Sequence, residues 1–246
     1  MTGPDDARRA ELAAALAAVR ERITTACTRA GRRPEDVRLL AVTKTFPATD
    51  AALLCDLGMD DLAENREQEA AGKVAELREL RPDAPVRWHM VGRLQRNKAR
   101  SVARWASEIQ SVDSVRLARA LDRASTAARA SGERAVPLDV LIQASIDGDP
   151  TRGGAPLDTL MELADEVARS GDLRLRGLMA VAPLGTDPAA AFELLAGAAD
   201  RLRRDHPDAT ALSAGMTNDL EIAITHGSTC VRVGTALLGN RGLASA

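Results

Sequence analysis

The stretch VRLLAVTK, residues 37–44, is an apolar, β-branched run that ends on a lysine, and a helical segment with a Gly stop follows it at 49–58. Short apolar runs bounded by turn residues are typical of buried strands. The same alternation of a strand-like run and a helical run continues along the chain. The eight runs that we predict as strands are residues 37–44, 60–65, 86–92, 108–114, 137–146, 173–183, 209–215 and 229–239.

Strands that alternate with helices indicate a parallel sheet joined by right-handed crossovers. Such a sheet is either a closed eight-stranded barrel or an open doubly wound sheet. Eight units, and the lack of GxGxxG after the first strand, favour the barrel. We therefore predict the α/β class, with one TIM-type (β/α)8 barrel, an extra N-terminal helix from Asp6 to Ala30, and a single domain over 1–246 whose core spans about 37–241.

Composition restricts the function classes. The chain has 246 residues, of which 45% are hydrophobic and 28% charged, with a net charge of -2. This is neither the basic excess of a nucleic-acid binder nor the composition of a disordered acidic protein. The N-terminus lacks the pattern of a signal peptide, no apolar stretch is long enough for a membrane span, and the three cysteines form no ligand motif. We expect a cytoplasmic protein with neither a disulfide framework nor a metal site.

The chain contains only three lysines, Lys44, Lys73 and Lys98, and no tyrosine. Chemistry in a barrel of this type lies at the carboxyl ends of the strands, where Lys44 ends the first predicted strand. Apolar surroundings lower the pKa of an amine and leave more of it nucleophilic. Lys44 is therefore a candidate Schiff-base lysine, and the alternative is a solvated lysine at a strand end.

A phosphate site is predicted from the last two strands. Ser213, Gly215 and Thr217 lead into a short helix, and Gly234 with Thr235 follows the core of the eighth strand. Loops after strands seven and eight of such barrels commonly bind phosphate through backbone N–H groups. Each residue alone is a weak signal, because Gly and Ser are common in turns.

Other polar residues at strand ends have two interpretations each. Arg232 would pair either with a pyridine nitrogen or with a neighbouring acid. His89 would be a general acid or base, or a hydrogen-bonded core residue. Glu64 and Asn65 would position a ring, or cap the helix that starts at Arg66.

A rival site is the basic run GRLQRNKARSVAR, residues 92–104, which we predict as one helical run. Such a run binds nucleic acid or another phosphate in some proteins. The overall charge and the presence of only four aromatic residues favour a solvated helix face instead.

The motifs LLAVTKTFP, LAENREQE, VRWHMVGRLQRNK, IQSVDS, LRGLMAVAP, LSAGMTNDLEIAI and GSTCVRVGTALLGNR occur in that order. Together they resemble the blocks of the YggS/PROSC family of pyridoxal-phosphate-binding homeostasis proteins, from about Val37 to Arg241. That family is similar to the barrel domain of bacterial alanine racemase standing alone. The chain departs from the family pattern at Ala63, which puts the local turn in question, and at Ala144, which would remove one polar contact.

The resemblance implies a site for pyridoxal 5′-phosphate. Lys44 would carry the aldehyde, and Arg232 would face the pyridine nitrogen. The remaining implied cofactor residues are Ser213, Gly234 and Thr235 at the phosphate, Gly215 in the shape of its loop, and Asn65, His89 and Met179 around the cofactor.

A cation at the pyridine nitrogen makes the ring a poorer electron sink, which argues against transamination and decarboxylation. Two-base racemisation would need a tyrosine from a second domain. As the resemblance implies, we expect a cofactor carrier in vitamin B6 and amino-acid homeostasis that delivers cofactor to apo-enzymes, without substantial catalysis. The alternative is an amino-acid racemase. We expect a monomer or weak dimer, with neither a membrane nor a nucleic-acid partner.

Overall fold

The computed structural model describes residues 4–149, 152–183 and 185–240. Eight parallel strands form a closed barrel, because the strand at Glu108–Val112 pairs with the strand at Leu138–Ser145 and thereby joins the two edges of the sheet. The predicted (β/α)8 barrel is confirmed. The barrel strands are β1 (Arg38–Val42), β2 (Asp61–Glu64), β3 (Arg87–Met90), β4 (Glu108–Val112), β5 (Leu138–Ser145), β7 (Leu173–Met179), β8 (Ala211–Ser213) and β9 (Cys230–Val233); the two-residue strand β6 (Ala155–Pro156) pairs with the end of β5.

Helices follow the strands and cover the barrel. They are α1 (Pro4–Arg29), α2 (Ala48–Asp56), α3 (Glu67–Leu80), α4 (Ala99–Trp105), α5 (Val115–Ala130), α6 (Leu160–Ala168), α7 (Pro188–Asp205), α8 (Leu220–Thr225) and α9 (Thr235–Leu238), with 3₁₀ turns at Pro34–Asp36 and Arg96–Lys98. Local sequence sets several of these ends. The side chain of Ser114 caps α5, and Asp187 caps α7 just before a proline in the first turn.

Two sequence predictions are wrong in detail. The predicted eighth strand, 229–239, stops at Val233, and its TALL segment forms the short helix α9. Short apolar runs do not distinguish strand from helix by periodicity. The basic run 92–104 is not one helix, because a loop and the 3₁₀ turn at 96–98 precede α4. The predicted upper limit of the barrel core, Arg241, lies outside the described residues.

The interior of the barrel changes character along its axis. Leu40, Ala63 and Cys230 form a small buried apolar cluster that Val42 and Val91 extend. The first residues of three strands are charged instead: Arg38, Asp61 and Glu108 begin β1, β2 and β4. Alternation of side chains along each strand places these residues inside the barrel. The amino end of the barrel is therefore polar, and its middle is apolar.

The extra N-terminal helix α1 packs on α2, α8 and α9. Its Arg8 donates hydrogen bonds to Asp50 on α2 and to the carbonyl oxygen of Leu238 at the end of α9. The helix is thus attached to the last βα unit of the barrel. Within the described ranges, no helix has both the length and the apolar character that a membrane crossing requires.

Candidate functional site

A cavity of about 640 Å³ opens at the carboxyl ends of the barrel strands. The segments after β1, β2, β3, β7, β8 and β9 form its wall, which matches the face where barrel chemistry is expected. The lining residues used below are Val42, Lys44, Phe46, Asn65, Val91, Met216, Thr217, Asp219, Arg232, Gly234 and Thr235.

Lys44 reaches this cavity from the loop that follows β1, and its side chain is exposed. The next residue, Thr45, has a φ of 69°, which is uncommon for a β-branched residue. Such left-handed conformations cost on the order of 1–3 kcal/mol and persist only where the surroundings enforce them. The turn at Lys44 is therefore a locally strained one.

A buried ion pair lies behind that turn. The amine of Lys73 on α3 donates to the carbonyl oxygen of Thr43 at 2.7 Å and to Glu64 Oε1 at 2.5 Å. The hydroxyl of Thr43 donates to the same Glu64 oxygen at 2.7 Å. Glu64 is fully buried against Lys73 and is absent from the described lining of the cavity, and no side-chain hydrogen bond caps α3. These contacts fix the backbone of Thr43, immediately before Lys44.

Arg232 enters the cavity from β9 and is 5% exposed. Its Nη1 donates to Ser213 Oγ at 2.7 Å, and its Nη2 donates to the carbonyl oxygen of Ala180 at 2.8 Å. Burial lowers the pKa of the guanidinium from its usual value, and the nearby carboxylate of Asp219 opposes that shift. A guanidinium has five N–H donors and remains protonated in proteins. A positive charge therefore lies at the inner wall of the cavity.

The two loops predicted to hold phosphate meet at this cavity. Gly215 has a φ of 92°, and a Cβ there would lie 2.6 Å from the Cβ of Ala223. Its carbonyl oxygen accepts from the backbone N–H of Arg232 at 2.9 Å, which links the two loops. The carboxylate of Asp219 accepts from the N–H of Met216 at 2.6 Å and closes the first turn of that loop.

Gly234 begins the second phosphate loop and packs against β1. A Cβ at this position would lie 3.3 Å from the carbonyl oxygen of Val42, closer than side chains usually approach. Thr235 follows at the first position of α9, and both Thr235 and Thr217 line the cavity. Two hydroxyls at the cavity wall suit an anionic group.

His89 lies in a different environment, at the polar amino end of the barrel. Its Nε2 is 2.7 Å from Asp61 Oδ1, and its Nδ1 is 3.0 Å from Glu108 Oε1. Burial alone would lower the pKa of His89, but the hydrogen bonds to the two carboxylates outweigh it and raise that pKa. For Glu108, burial would raise the pKa, but His89 and Arg38 reduce it to about 2.

The structure brings five of the nine predicted cofactor residues together at the cavity: Lys44, Asn65, Arg232, Gly234 and Thr235. The other four, His89, Met179, Ser213 and Gly215, are absent from its described lining. Ser213 is fully buried, and its hydroxyl contacts Arg232 and Gln110 rather than an open phosphate site. Met179 is also buried, at the end of β7. Residues that end a strand inside the barrel lie one layer below its rim.

Sequence reasoning missed part of the wall. The loop after β7 contributes Val181, Ala182 and Pro183, and Phe46 adds an aromatic face beside Lys44. A Pro/Gly-rich segment directly after an apolar strand was the available signal for the first group. Thr217 was noted with the phosphate loops, and the cavity includes it.

Comparisons with known proteins agree with this architecture. The family model described as alanine racemase, N-terminal domain, matches residues 15–242. A pyridoxal phosphate homeostasis protein of Mycobacterium tuberculosis is 51% identical, over 97% of this chain and 96% of that protein. A protein of the same name from Escherichia coli is 40% identical, over 94% of this chain and 97% of that protein.

The chain belongs to the alanine racemase N-terminal domain family and, within it, to the pyridoxal phosphate homeostasis proteins. The resemblance drawn from the sequence motifs is thereby confirmed. Among solved structures, PipY of Synechococcus elongatus with pyridoxal phosphate bound has a TM-score of 0.78 and 33% identity, covering 93% of this chain and 100% of that chain.

Members of the family share their fold with longer enzymes. Alanine racemase from Corynebacterium glutamicum has a TM-score of 0.64 at 14% identity, covering 94% of this chain and 62% of that chain. At this identity the likeness concerns the barrel alone.

Proposed function

We propose that this protein binds pyridoxal 5′-phosphate as a Schiff base on Lys44 and serves vitamin B6 and amino-acid homeostasis in the cytoplasm, as one barrel domain without substantial catalytic activity. The observation that carries the proposal is that Lys44, from the loop after β1, and Arg232, from the paired strand β9, line one cavity together with Gly234, Thr235 and Thr217. The relatives' common name, and the pyridoxal phosphate in PipY, support the same ligand.

The three lysines differ in a way that singles out Lys44. The amine of Lys73 is buried against Glu64, and the amine of Lys98 is 3.3 Å from Glu67 Oε2. In the described part of the chain, Lys44 has no carboxylate within ion-pair distance. An amine that is held by a carboxylate is occupied, whereas the amine of Lys44 is exposed at the cavity and accessible to an aldehyde.

The cavity suits the chemical groups of the cofactor. An amine for the aldehyde, a cation for the pyridine nitrogen and hydroxyls with backbone N–H groups for the phosphate all face one space of about 640 Å³. Val42, Val91 and Phe46 supply apolar surface for a planar ring. When bound, the cofactor supplies a reversible imine-forming aldehyde and an electron-withdrawing ring.

The charge of Arg232 favours storage over carbanion chemistry. A guanidinium beside the pyridine nitrogen disfavours its protonation, which weakens the ring as an electron sink. The racemase alternative also needs a second base. The sequence contains no tyrosine, and both ring nitrogens of His89 are engaged by carboxylates at the amino end of the barrel. We therefore infer a carrier that releases cofactor to apo-enzymes.

Nucleic-acid binding by residues 92–104 has less support. Lys98 is paired with Glu67, and Arg104 is paired with Glu133 at 3.2 Å, so part of the positive charge is neutralised. The three free cysteines suit a reducing compartment such as the cytoplasm.

Borohydride trapping tests the proposal. Purified protein is incubated with pyridoxal phosphate, reduced with borohydride and mapped by peptide mass. We expect the label on Lys44, no label on Lys44→Ala, and normal labelling of the matched control Lys98→Ala. Label on another residue, or a colourless wild-type protein, would contradict the Schiff base at Lys44.

Two further assays separate carrier from enzyme. A cofactor-loaded sample mixed with an apo-enzyme should restore that enzyme's activity, and Lys44→Ala treated in the same way should not. Exchange of the α-proton of alanine in deuterated water should stay near the rate of free pyridoxal phosphate. Exchange at the rates typical of enzymes, with kcat of about 1–1000 per second, would support the racemase instead.

A further inference from the structure

A chain of buried hydrogen bonds runs along the inside of the barrel, from the cavity to its amino end. Arg232 Nη1 donates to Ser213 Oγ at 2.7 Å, and Ser213 Oγ donates to Gln110 Oε1 at 2.7 Å. Gln110 Nε2 then donates to Glu108 Oε1 at 2.7 Å. The four residues come from β9, β8 and β4, so the chain crosses the barrel interior.

All the donors in this chain point in one direction. The guanidinium donates to the hydroxyl, the hydroxyl donates to the amide oxygen, and the amide nitrogen donates to the carboxylate. Each hydrogen bond therefore polarises the next, and in a buried setting such chains strengthen cooperatively. Ser213 and Gln110 are both fully buried, so solvent does not interrupt the chain.

The lower end of the chain is a fixed negative charge. Glu108 Oε1 is 3.0 Å from His89 Nδ1, and Arg38 Nη2 is 3.0 Å from the same oxygen. The donors Arg38 and His89 favour the ionised form of this carboxylate and hold it in one orientation. The upper end is a buried cation: within the described residues, no carboxylate accepts a hydrogen bond from Arg232.

We propose that Ser213 and Gln110 are positioning residues for Arg232, which transmit the negative charge of Glu108 to the guanidinium and fix its plane towards the cofactor cavity. Buried charges are strongly disfavoured unless they are paired or hydrogen-bonded. The hydrogen bonds through Ser213 and Gln110 supply this compensation and occupy only one N–H of Nη1. Nη2 donates to the carbonyl oxygen of Ala180. The remaining N–H groups stay available to the cavity that Arg232 lines.

Only the spectroscopic measurement rests on the proposed function, because it needs the bound cofactor. The orientation of Arg232 belongs to the protein itself and is measurable without cofactor. Gln110→Leu removes the central link at similar volume. Gln143→Leu is the matched control, because Gln143 is an amide on the neighbouring strand β5 that bonds only to the carbonyl oxygen of Arg152 in the described region.

The first measurement uses cofactor-free protein. A crystal structure of Gln110→Leu should show the Arg232 guanidinium turned or spread over several orientations, whereas Gln143→Leu should retain the wild-type geometry. Ser213→Ala is a smaller change and serves as the second variant if Gln110→Leu does not fold. It should likewise leave the Arg232 guanidinium turned or spread over several orientations. If Arg232 stays well ordered and unchanged in both Gln110→Leu and Ser213→Ala, the proposal is overturned.

The second measurement uses the loaded protein. We expect Gln110→Leu to shift the visible absorption of the bound cofactor and to raise its Kd roughly tenfold, which corresponds to about 1.4 kcal/mol. Borohydride should still label Lys44, since the amine is untouched. A spectrum and Kd identical to those of the wild type would overturn the proposal. Failure of the wild type to label at Lys44 would instead refute the proposed function and leave the crystallographic test intact.

Discussion

Lys73 and Glu64 form a buried ion pair, with 2.5 Å between Nζ and Oε1, directly behind the turn that presents Lys44. The same amine holds the carbonyl oxygen of Thr43. The proposed cofactor lysine, Lys44, is therefore supported by a second lysine with a different role. The sequence placed Lys44 at a strand end but did not indicate the supporting role of Lys73, because the contacts of Lys73 with Thr43 and Glu64 depend on how α3 packs against the barrel.

Removal of Lys73 should destabilise the fold. Lys73→Met leaves Glu64 as an unpaired buried carboxylate, which costs about 3–5 kcal/mol in comparable pairs. Urea denaturation should show this loss. Lys98→Met is the control: it removes the more exposed Lys98–Glu67 ion pair and should change the free energy of unfolding by less than about 1 kcal/mol. The double variant Lys73→Met with Glu64→Leu should recover part of the loss. Equal midpoints for Lys73→Met and the wild type would show that the pair contributes nothing to stability.

The stability of the protein should fall on both sides of an intermediate pH range. Glu108 has its pKa lowered from 4.5 to about 2, so its contribution is present above about pH 4.5 and is lost as the pH falls towards 2. The pKa of His89 is raised from 6.5, so its contribution is complete below that value and is lost as the pH rises through the folded pKa.

Urea midpoints at about pH 3, about pH 6 and about pH 9 would test this dependence. Glu108→Gln should lower stability at the middle pH and flatten both limbs of the profile, because it removes a shared partner of His89. Glu162→Gln, on the exposed face of α6, serves as the control and should follow the wild type. If the stability of Glu108→Gln depends on pH in the same way as that of the wild type, the pH dependence does not arise from Glu108 and His89.

Gly215 should be sensitive to the smallest substitution. Gly215→Ala combines a left-handed φ of 92° with a Cβ 2.6 Å from Ala223 Cβ, and we expect a loss of about 1–3 kcal/mol. Cofactor affinity should also fall, because Gly215 holds the loop of Met216 against Arg232. Gly197→Ala in α7 has open space around it and should be neutral or stabilising by about 0.5–1 kcal/mol. Thermal denaturation of the two variants gives the comparison; a tolerated Gly215→Ala would show that the loop adapts.

Much of the fold followed from local pattern. Apolar runs between turn signals indicate where the strands lie. The count of eight strand–helix units favoured the closed barrel over an open doubly wound sheet. Lys44, Asn65 and Arg232 were found because strand ends converge at one face. Ser213 and His89 lie outside the described lining of the cavity for a physical reason: the hydroxyl of Ser213 contacts Gln110 and the ring of His89 contacts Glu108, which come from other strands. Partners of buried polar groups depend on barrel register, which a single sequence does not reveal.

The N-terminal helix should influence the cofactor site through Arg8. Its guanidinium donates to Asp50 at 2.7 Å and to the Leu238 carbonyl oxygen at 3.0 Å, and lies 5.9 Å from the ring centre of Phe46. Phe46 lines the cavity, and Leu238 ends α9, whose first residue is Thr235. One side chain of α1 thus contacts both the aromatic wall and the helix of the second phosphate loop.

Arg8→Leu should therefore weaken cofactor binding as well as stability. We expect about 1.5–3 kcal/mol of destabilisation, since the hydrogen bonds of Arg8 to Asp50, Glu11 and the Leu238 carbonyl oxygen are lost and the Asp50 carboxylate loses its ion pair with Arg8. Titration of the variant with pyridoxal phosphate, followed by absorbance, should give a higher Kd. Arg33→Leu, which removes an exposed arginine paired only with nearby Asp36 in the described structure, is the control and should leave both quantities unchanged. If Arg8→Leu loses stability but keeps the wild-type Kd, α1 supports the fold without shaping the cavity, and the link from Arg8 through Phe46 and α9 has no part in binding.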